Sequence, residues 1–202
     1  MPPAPDHGAM RAGLLSLVLL ALPPLLALPA AAQAPRPATA DARGAEAERL
    51  LDALPAAPDE TAGAALAARI RALWAQGASP AVTLLLQRGH RNLEAEAPGE
   101  AVEDFDAALT LQPGHAEAWL MRAQALAATG DMQAAMSDLQ QVLVLQPRHF
   151  VALTLLSSLR EQVGDRMGAL RAMEEAVSLH PTMPGAAARL RVLHNKAHGT
   201  GT

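Results

Sequence analysis

The second half of this chain repeats itself with a fixed period. Pro113, Pro147 and Pro181 stand 34 residues apart. The same offset relates Ala101, Ala135 and Ala169, and also Phe105, Leu139 and Met173. It relates Ala108, Val142 and Ala176, then Leu111, Leu145 and Leu179, then the pairs Gly130-Asp131 and Gly164-Asp165. Six registers sharing one offset define an internal repeat. A unit of this length cannot bury its apolar face alone. Stacked units can, so the chain is expected to form a solenoid whose stability is roughly a sum over interfaces.

Each unit reads as a helical hairpin. In the second, Ala116 to Thr129 forms one helix and Gly130 ends it in a left-handed conformation that glycine adopts without a Cβ penalty. Asp131 caps the next helix, and Gln146-Pro147 stops that helix near Leu145. The small residues Ala123 and Ala135 let the two helices approach, while Trp119, Leu126, Leu139 and Leu143 fill the space between them. Composition agrees with an all-α fold. Nearly a quarter of the residues are Ala and only 2% are aromatic, which favours helices over a β-sandwich or barrel.

These units resemble the tetratricopeptide repeat, whose pattern over one unit runs Trp, Leu-Gly, Tyr, Ala, Phe, Ala, Pro. The second repeat, 116–149, meets it with Trp119, Ala123, Ala135, Leu139, Val142 and Pro147, with Arg122 and Leu126 where Leu and Tyr are usual. The third, 150–183, has Leu153, Leu156-Ser157, Gly164, Ala169, Met173, Ala176 and Pro181. The first, 82–115, has Gly89, Ala101, Phe105, Ala108 and Pro113. Its turn is Ala97-Pro98, so its hairpin is expected to bend differently. Residues 78–198 are read as the array, closed by a polar-backed capping helix over 185–198. The resemblance implies an interaction scaffold whose inner face, made by first helices, holds a partner. Carried over position by position, that face is Leu86, Gln87 and His90 in the first repeat. It continues with Glu117, Leu120, Met121 and Gln124 in the second, and with Thr154, Leu155 and Ser158 in the third. These residues are neutral to weakly acidic and suit an apolar or mildly basic segment. The Lys and Asn set of the carboxylate clamp in the heat-shock-binding branch is missing, so that activity is not expected.

Before the array the period fails. Residues 45–77 hold two helical stretches, Ala45–Leu54 and Thr61–Gln76, read as a degenerate or capping hairpin whose first helix is alternatively a loose arm. Residues 33–44 are Pro/Ala-rich and read as a flexible linker. Residues 1–32 carry Arg11, an apolar run from Leu14 to Leu22, and Ala30-Ala31-Ala32, the layout of a secretory signal cleaved between Ala32 and Gln33. Met10 is an alternative start. An uncleaved anchor would need about 20 apolar residues. Gly13 to Ala32 just reach that length, but three prolines oppose a stable span. The expected location is therefore the periplasm or the medium, with inner-membrane anchoring as the alternative. With Ala abundant and Lys196 the only lysine, a GC-rich bacterial genome is the inferred source.

Other chemistry finds little support. Cysteine is absent and the net charge is −4, which removes thiolate metal sites and any basic patch for nucleic acid. No nucleophile elbow, phosphate loop or His-Glu-x-x-His is present, so no catalytic residue, metal or cofactor is assigned. The acidic residues Glu94, Glu96, Glu100, Glu103, Asp104 and Asp106 lack a calcium-loop spacing and read as a solvated face. His115, His149 and His180 read as inter-repeat loop residues, and His194 with His198 as a frayed terminus. The function expected is a cell-envelope scaffold binding a protein or peptide segment in its groove. The alternatives are an envelope-assembly subunit docking by its convex face or N-terminal hairpin, and an enzyme of no recognised motif.

Overall fold

A computed structural model describes residues 40–199, which form nine α-helices and no strand. The signal segment, the Ala32/Gln33 junction and linker residues 33–39 lie outside the described residues. The helices are α1 (Ala40–Ala53), α2 (Glu60–Ala75), α3 (Pro80–Glu94), α4 (Pro98–Leu111) and α5 (Ala116–Thr129). They continue as α6 (Met132–Leu145), α7 (Phe150–Gln162), α8 (Arg166–Leu179) and α9 (Ala186–His198), with a single 3-10 turn at Leu54–Ala56. None is long and apolar enough to cross a membrane.

The repeats fold as hairpins α3–α4, α5–α6 and α7–α8. Ala101, Phe105, Ala108, Ala135, Leu139, Val142, Ala169 and Ala176 are wholly buried, and Met173 nearly so. The periodic positions therefore form the core between hairpin arms. Trp119 is half-buried and anchors its helix start by donating from Nε1 to the Pro113 carbonyl at 2.7 Å. Gly130 and Gly164 take φ of +91° and +87°, and the following Asp131 and Asp165 cap α6 and α8 by accepting from Ala134 and Gly168 backbone N–H groups. Pro113, Pro147 and Pro181 sit in the turns that follow α4, α6 and α8. At the far end, α9 buries Ala186 and Leu193 against Ala169, Leu170 and Met173. Its Arg189 and Lys196 pair with Glu161 of α7.

The first-repeat turn corrects one expectation. Glu96 is the register equivalent of Gly130, and it takes φ +57°, the only non-glycine residue with positive φ among those described. The backbone thus keeps the turn of the other repeats and carries the left-handed strain on a residue with a Cβ. Ala97 caps α4 without a side-chain hydrogen bond. Glu96→Gly is expected to stabilise by about 1 kcal/mol, and Ala97→Asp by a similar amount through a new cap. Chemical denaturation midpoints measure both, and an unchanged Glu96→Gly midpoint contradicts the strain.

The acidic face is also revised. Asp104 is only 3% exposed, held by Arg88 Nε at 2.6 Å and Asn92 Nδ2 at 2.9 Å. One repeat later, the equivalent Arg122 holds Asp138, itself 5% exposed. Arg122 also reaches back to Asp106 and lies over the Trp119 ring. A buried carboxylate needs such a partner, because leaving it unpaired is costly. In the third repeat both positions are apolar, Leu156 and Ala172.

The N-terminal hairpin departs furthest from expectation. Helix α1 begins at Ala40, so residues 40–44 are helix rather than linker. The hairpin is neither a loose arm nor a further stacked unit. Ala47, Leu51, Leu54, Ala67, Ile70, Leu73 and Trp74 form one buried cluster that includes Phe150 of α7, with Val151 and Leu179 packed against it. Arg148 pairs with Glu48 and Asp52 of α1. Helix α2 runs along the inter-repeat junctions in reverse order. Gly77, just past its end, lies beside His115; Trp74 stacks on His149 with ring centroids 4.1 Å apart; Gly63 faces His180 and Thr182. At Gly63 a Cβ would overlap the Thr182 hydroxyl, so with Thr182 in place the close approach favours glycine there. The apolar stripe of α2, Ala67, Ile70, Leu73 and Trp74, is covered by α1 on one side and by Phe150, Val151 and Leu179 on the other.

Candidate partner-binding groove

The first helices α3, α5 and α7 present one face, and α2 stands along its edge. Two cavities lie between them. The larger, of about 530 Å³, is lined by Gln124 of α5, Phe150, Val151, Thr154, Leu155 and Ser158 of α7, Ala64, Ala67 and Arg71 of α2, and His180, Met183 and Pro184. The smaller, of about 270 Å³, is lined by Thr83, Leu86, Gln87 and His90 of α3, Glu117 and Met121 of α5, and Ala75 and Ala78.

The structure therefore brings nine of the ten groove candidates to these cavities: Leu86, Gln87, His90, Glu117 and Met121 to the smaller, Gln124, Thr154, Leu155 and Ser158 to the larger. Leu120 is the exception. It is 3% exposed and belongs to the core between α5, α6 and α7, because its place on α5 turns it toward the neighbouring hairpin. The sequence missed the wall. Ala64, Ala67 and Arg71 belong to a segment outside the period, and nothing in their spacing places them opposite α7. Arg71 is exposed and brings a positive charge to a groove whose first-helix residues are otherwise neutral or acidic.

The junction histidines are structural rather than merely loop residues. His115, His149 and His180 are all at most 4% exposed. His149 caps α7 by accepting from the Ala152 N–H at its Nδ1, and its Nε2 lies 3.7 Å from Glu117. His180 packs edge-on to Phe150. Burial pushes the His115 imidazole below its usual range, with Glu117 acting weakly against it. Burial also lowers His180, aided by the nearby Arg71 charge. A lowered folded-state pKa means that the unfolded chain takes up protons first, so stability falls as pH drops below about 6.5. Thermal melting is expected at lower temperature at pH 5.5 than at pH 7.5, a window above most carboxylate titrations. His115→Gln with His180→Gln should flatten that slope, and an undiminished slope would assign it to other groups.

At the C-terminus, His194 and His198 lie with ring centroids 4.3 Å apart on the exposed side of α9. No group of three or more His, Asp and Glu suited to a metal ion occurs among the described residues.

Comparison with known proteins agrees with this architecture. A tetratricopeptide-repeat family model matches residues 92–159. No curated protein sequence matches the chain. Among solved structures, the Sgt2 TPR domain from Aspergillus fumigatus is 22% identical, with 61% of this chain and 83% of that one covered and a TM-score of 0.57. The first TPR of Spaghetti (RPAP3), bound to the HSP90 peptide SRMEEVD, is 18% identical over 59% of this chain and 95% of that one, with a TM-score of 0.57. A MamA protein is 19% identical over 77% and 84% of the two chains, with a TM-score of 0.54. At these identities the likeness is one of fold.

Proposed function

We propose that this chain, a tetratricopeptide-repeat protein, is a scaffold of the bacterial cell envelope that holds a segment of a partner protein between its first helices and α2. The repeat fold is an interaction scaffold, and neighbours such as the RPAP3 repeat domain carry bound peptides. The observation that supports the groove here is the larger cavity, a mainly apolar slot with polar groups spaced along it. Such preformed sites lose little entropy on binding. The envelope assignment rests on the signal-like pattern of residues 1–32, and N-terminal sequencing of the mature protein should begin at Gln33.

Capture from envelope extracts tests the groove. Leu155→Glu and Met121→Glu put a charge into the larger and smaller cavities, and Leu155→Glu is expected to abolish capture of the partner. Val144→Glu alters a residue 73% exposed on the outer helix α6 and should leave capture intact. The opposite pattern, loss with Val144→Glu alone, would favour docking through the outer face instead.

A further inference from the structure

We propose that the larger cavity takes an acidic side chain carried beside an aliphatic one on the bound segment. This rests on the groove reading above and adds the chemistry of what is recognised. The body of the cavity is apolar, with Ala64 and Ala67 on one wall and Phe150, Val151, Leu155 and Met183 on the other. An aliphatic side chain fills such a slot by losing water. The end near His180 differs. His180 is 4% exposed and lines the cavity, yet neither ring nitrogen has a hydrogen-bond partner. The Thr182 hydroxyl beside it is also without one. Buried polar atoms left unpaired cost free energy that a ligand recovers by bonding to them.

Charge selects the ligand. Arg71 lines the same cavity and makes no hydrogen bond or ion pair among the described residues, and its field reaches His180. No Asp or Glu lines this cavity. The groups facing His180 are Arg71 and Gly63 from α2, Phe150 from α7 and Thr182 from its own loop. A carboxylate entering here accepts from the exposed guanidinium, the stronger, charge-assisted kind of bond, with the unpaired His180 imidazole beside it. A neutral amide can accept the same bonds through its carbonyl oxygen but without charge assistance, so it is held more weakly, and an ammonium group is repelled by Arg71. The smaller cavity has the reverse character. Glu117 lines it and no Arg or Lys does, so an acidic group is directed to the α7 end of the groove.

The test uses three short peptides, acetylated and amidated so that no terminal carboxylate is present. They are identical except for Glu, Gln or Lys one helical turn from a Leu. Binding is followed at low salt through the amide resonances of Thr154, Leu155 and Ser158. The Glu peptide is expected to bind about fivefold or more tightly than the Gln peptide, with the Lys peptide weakest. In Arg71→Gln, an exposed change whose folding is checked by melting, the Glu and Gln peptides should bind alike. If the Gln or Lys peptide shifts those amides as strongly as the Glu peptide, the groove reading stands and the acidic preference is overturned. If no peptide shifts them while Leu155→Glu still loses the envelope partner, the acidic preference alone again falls.

Discussion

Ala135→Asp is expected to remove about 4 kcal/mol or more of stability and to lower the melting temperature by roughly 10 °C. Ala135 is wholly buried in the cluster where Ala116, Leu120 and Ala123 of α5 meet Leu139 and Val142 of α6. An Asp side chain there has neither room nor a cation. It must displace packed neighbours or take up a proton, and both routes cost free energy. The loss is a large fraction of the roughly 5–15 kcal/mol available to a domain. Two positions earlier, Gln133→Asp places the same charge on an exposed first-turn position of α6, where change should stay within about 0.5 kcal/mol. Circular dichroism melting of both variants decides. A small shift for Ala135→Asp would mean that the α5–α6 register is wrong.

The second large effect concerns the buried ion pair. Arg122 donates from Nε and Nη2 to the two carboxylate oxygens of Asp138 at 2.7 and 2.8 Å. These bonds and the Asp106 contact raise the guanidinium well above its ordinary range, against the opposing effect of burial. Arg122→Leu leaves a carboxylate in the core without its cation. The expected cost is about 3 kcal/mol, at the lower end for a buried pair because the guanidinium retains some exposure. The third repeat shows the alternative solution, Leu156 with Ala172. Arg122→Leu combined with Asp138→Ala copies it and should recover most of the loss, since apolar replacement of a buried pair is often close to neutral. Chemical denaturation of the two singles and the double completes the cycle. A double variant as unstable as Arg122→Leu would show that the pair contributes through more than its charge.

What could be read from the sequence was what the repeat enforces three times. Pro113, Pro147 and Pro181 gave the turns, Gly130 and Gly164 the left-handed residues, and the Ala101 and Phe105 registers the core. The groove followed because register fixes which positions of α3, α5 and α7 face inward. The buried pairs also had a readable signal: Arg88 and Arg122 share the repeat offset, as do Asp104 and Asp138. Among the other acidic residues that signal passed as surface charge. The glutamate at the first turn was hidden differently, since only the backbone of neighbouring repeats compels Glu96 into a glycine conformation.

The placement of α2 could not be read at all. Its contacts join Gly63, Trp74 and Gly77 to junctions far along the chain, and a segment outside the period carries no register to predict them. That placement gives each cavity lining residues from outside the period, Ala64, Ala67 and Arg71 in the larger and Ala75 and Ala78 in the smaller. It also brings Arg71 to a face whose own residues gave no reason to expect a cation.

Everything proposed about the groove depends on α2 lying against the end of the third repeat. A cysteine pair tests this directly, in a chain with no cysteine of its own. A Cβ built at Gly63 lies 3.1 Å from the Thr182 Cβ, close to the roughly 3.5–4.5 Å spanned by a disulfide. With Gly63→Cys and Thr182→Cys together, mild oxidation should join the two sites within one chain. The product would run faster on a non-reducing gel and melt at higher temperature than its reduced form. Two thiols that stay free and equally reactive after oxidation would contradict the docked hairpin, and with it the wall of the groove.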